Sequence, residues 1–284
     1  MRGSIKHQVA TILKKYNAQG ISKKEERSKN ETKGFNNQKV SPYIHSYESY
    51  RAVFSTIKNI AEYAKKHYNV KSIDKIDNNI IQMYFLGKIA DGVSYKSISN
   101  QVSHLSKVKD EFQYTKDQLE RVRFSANGVA KKQNLQPRAY KQTLLDKIKL
   151  ENSKLQTTFE LQRELGLRIS AAISINLNNQ LHKHQDGYTL TFKEKGGKIS
   201  EKNISIELVN KIKENSKDGL FNVSQSTYTK SLKKEVIRNG GKWTGTHGMR
   251  HSYAQNRLEE GYSKQNVSEN MGHIREEITD TYLR

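Results

Sequence analysis

Four residues near the C-terminus combine side chains suited to chemistry on a phosphate ester. Arg250 lies three residues after His247, His273 lies 23 residues after Arg250, and Tyr282 lies nine residues after His273. Arginine suits a phosphate because its planar fork bonds two oxygens and stays charged. A tyrosine hydroxyl, whose pKa is ordinarily near 10, can attack at neutral pH when a cationic pocket favours its ionised form. The set is therefore suited to holding a phosphate group beside a nucleophilic hydroxyl.

The order and spacing of these residues resemble the active site of the tyrosine recombinases, the phage integrase family. In that family the tyrosine attacks a DNA phosphodiester, and the Arg and His residues hold the phosphate. The resemblance implies that Tyr282 is the nucleophile. It implies that His247 assists deprotonation of the tyrosine or orients the phosphate. His273 follows Gly272 as in the family's Leu-Gly-His, with a methionine in the Leu place, and its implied role is a hydrogen bond to the phosphate.

The family uses a second arginine far upstream and a lysine on a β-hairpin between the two. Arg168 in the run Gly-Leu-Arg matches the upstream arginine, although such a residue also caps helices or forms surface ion pairs. In the hairpin turn, Lys195 aligns best with the lysine that protonates the leaving 5′ oxygen. Lys193 and Lys198 remain alternatives because turns are often rich in lysine for solubility alone.

Two departures from the family pattern and one rival site type also follow from the sequence. Ala171 stands where the family often has an acidic residue, so that contact is either missing or supplied elsewhere. The chain ends at Arg284, whereas many relatives continue into a helix that docks on a neighbouring subunit. His247 and His251 lie one helical turn apart, but Gly248 replaces the glutamate of the zincin pattern, which argues against a metal site.

Composition independently indicates a polyanionic partner. The chain of 284 residues carries 50 Lys and Arg against 29 Asp and Glu, a formal net charge of +21. Residues 1–130 hold 23 basic and 12 acidic side chains, and the remainder holds 27 and 17, so both halves are basic. Nucleic acid is favoured over a membrane because no apolar run approaches the roughly 20 residues of a spanning helix. The chain has no cysteine and shows no signal peptide, and a cytoplasmic location in a bacterium is expected.

Hydrophobic spacing predicts a mostly α chain with a small β-hairpin or sheet, in a two-domain architecture. Residues 1–123 are expected to form a helical core-binding domain, residues 124–136 a linker, and residues 137–284 a mixed α/β catalytic domain. A loop is predicted at 19–43, and strands are predicted at 187–192 and 199–208. Helices are predicted at 4–17, 46–68, 78–89, 94–111, 227–238, 247–260, 263–271 and 276–282, with further helical spacing around 144–150 and 155–165.

The function that the resemblance implies is that of a site-specific tyrosine recombinase, an integrase of a mobile element. It would cleave and rejoin DNA through a 3′-phosphotyrosyl intermediate, which conserves bond energy and needs no nucleotide or metal cofactor. The implied partners are double-stranded DNA with specific recombination sites, three further copies of the chain in a homotetrameric synapse, and accessory DNA-binding proteins. The two domains would clamp the DNA. Two alternatives stay open: a type IB topoisomerase that religates the same strand, and a DNA-binding accessory factor with a relic pocket.

Overall fold

The computed structural model describes residues 1–29, 39–130, 136–194, 199–273 and 276–283. The chain divides into two compact units, Met1–Asn134 and Leu135–Arg284. The first unit has one hydrophobic core, and the second has three clusters of buried apolar side chains. Among the described residues, no helix has the length and apolar character needed to cross a membrane.

The first unit is helical, and polar side chains fix where most of its helices begin. A Ser, Thr or Asp side chain accepts a backbone N–H at the start of five of them. The helices are α1 (Ile5–Lys14), α2 (Lys23–Lys29), α3 (Tyr47–Tyr68), α4 (Asn78–Ala90), α5 (Tyr95–Leu105) and α6 (Lys116–Val129).

Three of these helices differ from the sequence prediction. The helix predicted at 94–111 ends at Leu105 as α5, and Lys109–Glu111 form a separate 3₁₀ turn. Helix α2 falls inside the loop predicted at 19–43, and its charged side chains bury nothing, so it leaves no hydrophobic periodicity to detect. Helix α6 is absent from the sequence prediction and continues into the stretch 124–136 expected to be a linker. A capping box between Thr115 and Gln118 starts it, and it buries Leu119 and Val122. This buried face outweighs the weak helix propensity of Ser125 and Gly128.

The second unit combines nine described helices with five described strands. The helices are α7 (Gln142–Leu145), α8 (Ser153–Leu165), α9 (Ile169–Ala172), α10 (Leu177–Gln180), α11 (Ile206–Glu214), α12 (Gln225–Arg238), α13 (His247–Glu259), α14 (Lys264–Asn270) and α15 (Glu277–Asp280). The strands are β1 (Ser174–Asn176), β2 (Leu181–His184), β3 (Gly187–Lys193), β4 (Ile199–Ile204) and β5 (Leu220–Asn222).

The strands form two small antiparallel sheets. Strands β2, β3 and β4 form one in sequence order, and β1 pairs with β5 in the other. The second strand of the predicted hairpin, 199–208, is too long, because β4 ends at Ile204. The Ser205 hydroxyl accepts the Leu208 N–H at 3.2 Å and so starts α11 at Ile206. The alternation of Ile204 and Ile206 therefore spans a strand end and a helix start.

Candidate active site

Arg168 follows a tight turn at the end of α8. Gly166 closes that helix in the left-handed conformation, with φ of 60°. The Gln162 side chain fixes this turn. It donates to the Leu167 carbonyl at 3.1 Å and accepts from the Tyr228 hydroxyl at 2.9 Å. Arg168 then occupies the N-cap position of α9, but its side chain makes no capping hydrogen bond. The guanidinium is thereby available for an anion rather than for the helix.

Arg250 lies one helical turn after His247 in the first half of α13, and its side chain is fully buried. Its Nη1 donates to the Gly166 carbonyl at 2.6 Å, and its Nη2 donates to the Met271 carbonyl. Two backbone carbonyls thus fix the guanidinium, and one of them belongs to the turn that carries Arg168. The two arginines are held as one structural group.

Gly248, between His247 and Arg250, is required by packing. A Cβ at this position would lie 2.4 Å from Thr244 Oγ1, 2.6 Å from a Tyr140 ring carbon and 2.7 Å from the Arg138 carbonyl. Tyr140 is anchored in turn, because its hydroxyl donates to the Gly245 carbonyl at 2.9 Å. The start of α13 therefore seats directly on the segment that opens the second unit, and no side chain fits at residue 248 without a shift of backbone.

Tyr282 follows the short helix α15 and is 7% exposed. Its backbone N–H donates to the Thr279 carbonyl at 2.8 Å. Lys264 at the start of α14 pairs with Asp280 at 2.7 Å and with Glu276 at 3.7 Å, which holds α15 against the body of the unit. The ring packs in a cluster whose other buried members are Tyr253, Ala254, Val267 and Met271.

The Tyr282 side chain lies among three histidines. Its hydroxyl is 2.9 Å from His247 Nε2. The ring centroid of Tyr282 lies 4.6 Å from that of His251 and 5.0 Å from that of His273. Arg250 Cζ lies 5.9 Å from the centroid of the Tyr282 ring. The Tyr282 hydroxyl acts to raise the pKa of Arg168 and of Arg250, against a larger lowering by burial. A hydroxyl placed between a ring nitrogen and two cations can lose a proton to the nitrogen while the cations stabilise the oxyanion.

The histidines of the site are uncharged at neutral pH. Burial, followed by the neighbouring His251 ring and the charge of Arg250, lowers the pKa of His247 to about 4. Burial, followed by the charges of Arg250 and Arg168, lowers the pKa of His273 to about 4. A neutral His247 can accept the Tyr282 proton. His273 Nδ1 lies 2.8 Å from Thr279 Oγ1, while its Nε2 is buried and has no partner among the described residues. That nitrogen is free to meet an added oxygen.

An acidic residue that the sequence did not single out lies against both arginines. Glu194, directly after β3, forms an ion pair with Arg168, and its Oε1 lies 3.9 Å from Arg250 Nη2. The Glu194 side chain is 4% exposed. It packs so closely on Gly272 that a Cβ there would lie 3.0 Å from Oε1. An acidic partner thus reaches the arginines from the β3 end, whereas Ala171 supplies none.

A second contact missed by sequence reasoning involves Lys202 on β4. Its Nζ donates to the Tyr253 hydroxyl at 3.2 Å and lies 4.5 Å from the centroid of that ring. Burial, followed by the charges of Arg250 and Arg257, lowers the pKa of Lys202 to about 7. The sequence signal for a buried Lys202 was its inward-facing place in the alternating pattern of the predicted strand.

The structure brings five of the six predicted site residues together: Arg168, His247, Arg250, His273 and Tyr282. Lys195 and its alternative Lys198 lie outside the described residues. The other alternative, Lys193, is exposed at the end of β3. The ring of His251, which sequence reasoning weighed as a metal ligand, packs at a tilt against the Tyr282 ring. No group of three or more His, Cys, Asp or Glu that could hold a metal occurs in the described ranges.

Comparison with known structures shows the same fold in three DNA-bound recombinases. XerH site-specific recombinase in a pre-cleavage complex with difH has 15% identity and a TM-score of 0.56, over 84% of this chain and 76% of that chain. A lambda integrase dimer bound to a COC′ core site has 17% identity and a TM-score of 0.61, over 84% and 89%. The Tn1549 transposon integrase with circular intermediate DNA has 14% identity and a TM-score of 0.57, over 100% and 96%. At these identities the likeness is one of fold.

Sequence comparison identifies the family. No curated protein sequence matches the chain. The model of the phage integrase family matches residues 135–284, which is more than half of the chain and the whole of the second unit. The matched residues include Arg168, His247, Arg250, His273 and Tyr282. The chain therefore belongs to the phage integrase family, the tyrosine recombinases, which are enzymes that exchange DNA strands.

Proposed function

We propose that this recombinase acts on specific sites in double-stranded DNA, with Tyr282 as its nucleophile. The observation that carries the proposal is the position of the Tyr282 hydroxyl, 2.9 Å from a neutral His247 and beside both arginines. The Tyr282 oxygen attacks the scissile phosphorus and its proton passes to His247 Nε2. The bond from phosphorus to the 5′ oxygen breaks, leaving a 3′-phosphotyrosyl link. A 5′ hydroxyl of the partner duplex then reverses the attack.

The remaining residues act on the phosphate and the leaving group. Arg168 and Arg250 neutralise the charge that develops on the nonbridging oxygens, and His273 Nε2 donates a hydrogen bond to one of them. Because both histidines are neutral, the positive charge of the site comes from the arginines. A hairpin lysine protonates the 5′ oxygen as it leaves, and Lys195 is the assignment we favour over Lys193 and Lys198.

Charge supports a role of the first unit in DNA binding. A groove of about 1350 Å³ in this unit is lined by basic side chains interspersed with Asp110, Asp117 and Glu120. Burial lowers the pKa of one of the basic side chains, Lys107, to about 8. Two aromatic rings also line the groove: Phe124, which is exposed, and Tyr95, which is half-buried. The basic members are Lys23, Arg27, Lys107, Lys109, Lys116, Arg121 and Arg123.

We further propose a homotetrameric synapse, help from accessory DNA-binding proteins, and action in the cytoplasm of a bacterial host as the integrase of a mobile element.

The test is a suicide substrate, a nicked duplex that traps the covalent intermediate, followed by peptide mapping of the adduct. The adduct should map to Tyr282 and vanish in Tyr282→Phe, which keeps the ring and its packing. Arg250→Ala should slow the rate of adduct formation, because it removes about 3–4 kcal/mol or more of transition-state stabilisation, by analogy with the loss of an oxyanion donor. An adduct at Tyr253 or Tyr262 would contradict the assignment.

A type IB topoisomerase shares the cleavage chemistry, so the adduct alone does not separate it from a recombinase. Strand exchange between two labelled duplexes does, because a topoisomerase rejoins the same strand. The relic accessory factor predicts DNA binding with no adduct at all. The integrase proposal requires both the adduct and the exchanged product.

A further inference from the structure

Glu194 has a position that the proposed chemistry does not use. Its carboxylate lies against Arg168 and within 3.9 Å of Arg250, with 4% of its side chain exposed. Oε1 accepts no hydrogen bond within the described residues. A carboxylate buried in this way is stable only if cations compensate for its lost hydration. Within the described part of the chain, Arg168 and Arg250 are the cations that pair with it.

The arginines need an anion for the same reason. The charge of Arg250 contributes to lowering the pKa of Arg168, which reflects repulsion between the two guanidinium groups. Their carbonyl partners, the oxygens of Gly166 and Met271, carry no formal charge. Among the described residues, Glu194 is the acidic side chain that pairs with both arginines.

Burial of Arg250 turns this balance into a competition. In the proposed reaction both arginines contact the scissile phosphate, yet the Arg250 side chain is 0% exposed. A phosphate oxygen cannot reach it until a covering group withdraws. Glu194 Oε1 lies 3.9 Å from Arg250 Nη2, and its carboxylate carries one negative charge shared by two oxygens, as the incoming phosphodiester does.

We propose that the Glu194 carboxylate occupies the scissile-phosphate position in the DNA-free protein and is displaced when the phosphate binds. The inference rests on the proposed function, because it assumes that Arg168 and Arg250 bind the phosphate. It makes Glu194 a residue that sets the affinity of the site for DNA. The opposite arrangement, in which Glu194 stays in place behind the arginines and positions them, predicts different behaviour of the same variant.

The experiment compares Glu194→Gln with Glu201→Gln. Both remove one negative charge near the same hairpin, but Glu201 is exposed on β4. The first measurement is the melting temperature in sodium sulfate against sodium chloride at matched ionic strength, with inorganic sulfate as the probe. Sulfate should stabilise Glu194→Gln more than either the wild type or the control, because the anion site is then vacant.

The second measurement is binding and cleavage of a duplex carrying a recombination site. Glu194→Gln should bind about tenfold more tightly than the control, a change that corresponds to about 1.4 kcal/mol. The increase in affinity of Glu194→Gln over the control should be smaller for a duplex that carries a neutral methylphosphonate at the scissile position. At limiting DNA, cleavage by Glu194→Gln should be faster by a similar factor.

Several outcomes would overturn the inference. Affinity equal to or weaker than that of the control, together with slower cleavage at saturating DNA, would show that Glu194 stays in place and positions the arginines. Glu194→Gln that unfolds in chloride but refolds in sulfate would support displacement, whereas failure in both salts would oppose it. If no Tyr282 adduct forms while the sulfate effect is present, the recombination mechanism fails and the anion site stands. If the adduct forms without the sulfate effect, the mechanism stands and displacement of Glu194 fails.

Discussion

Replacing Gly166 by alanine should damage the turn that joins the two arginines. The residue has φ of +60°, a region that costs a non-glycine residue about 1–2 kcal/mol. A Cβ would lie 2.4 Å from Cδ1 and 2.6 Å from Cγ of the Tyr253 ring. Relieving such an overlap in a packed site costs about 1–3 kcal/mol. Together these give a loss of about 2–5 kcal/mol in the free energy of unfolding.

Gly261→Ala is the matched control. Gly261 lies in the same unit and also has positive φ, +90°, but nothing lies within 4 Å of its added Cβ. It should lose only the backbone contribution of about 1–2 kcal/mol. Urea unfolding followed by the fluorescence of Trp243, the single tryptophan and a member of the second unit, measures both variants. The difference between them isolates the contact with Tyr253.

The same substitution should affect catalysis beyond stability. The Gly166 carbonyl accepts from Arg250, and Arg168 follows two residues later. A displaced turn therefore moves Arg168 and Arg250, which bind the phosphate in the proposed mechanism. Adduct formation should fall in Gly166→Ala while remaining near wild type in Gly261→Ala. Truncating the ring in a Gly166→Ala, Tyr253→Ala double variant should recover the steric share of the loss. Equal stability of the two single variants, or no coupling in the double variant, would refute the steric argument.

Three other perturbations test the site and its DNA contacts. The pKa of both His247 and His273 is lowered to about 4, so the unfolded chain binds more protons between pH 6.5 and 4 and stability should fall as pH falls through that window. Urea titrations should show a loss of about 1 kcal/mol or more per histidine once solvent screening is allowed for, reduced in His247→Asn, and a flat profile would contradict the burial argument. Lys195→Ala should slow cleavage, and a 5′-thio leaving group, which needs no proton, should restore the rate. Rescue seen only for Lys198→Ala or Lys193→Ala would reassign the general acid. DNA affinity should fall by about three to five decades between 50 and 200 mM salt if roughly 6–10 phosphates are contacted, and a shallow log–log slope would contradict binding by both units.

The C-terminal part of the site was predictable because its spacing is local. His247 and Arg250 lie one turn apart on α13, so their shared position follows from helix geometry alone. Tyr282 and His273 were identified by their offset and by family resemblance. The structure adds the contact that makes the offset meaningful, the 2.9 Å separation between His247 Nε2 and the Tyr282 hydroxyl.

Other features could not be predicted because they depend on contacts distant in sequence. Glu194 pairs with Arg168 across 26 positions of the chain. Glu194 lies in a run of charged residues that is typical of an exposed turn, and nothing in that run indicates a buried ion pair. The alternation that suggested a strand to residue 208 is also compatible with a strand followed by a capped helix. Ser205 decides between them through one hydrogen bond, which periodicity does not record.

The residues to which we assign the reaction meet within one chain. The Tyr282 hydroxyl meets His247 of its own protomer, and that protomer also supplies both arginines. Under the proposed mechanism, we therefore expect each chain to use its own tyrosine. A mixture of a chain lacking Tyr282 and a chain lacking Arg250 should then form no adduct, because neither chain keeps the complete set. The number of strands cut in a mixed assembly should equal the number of complete chains in it.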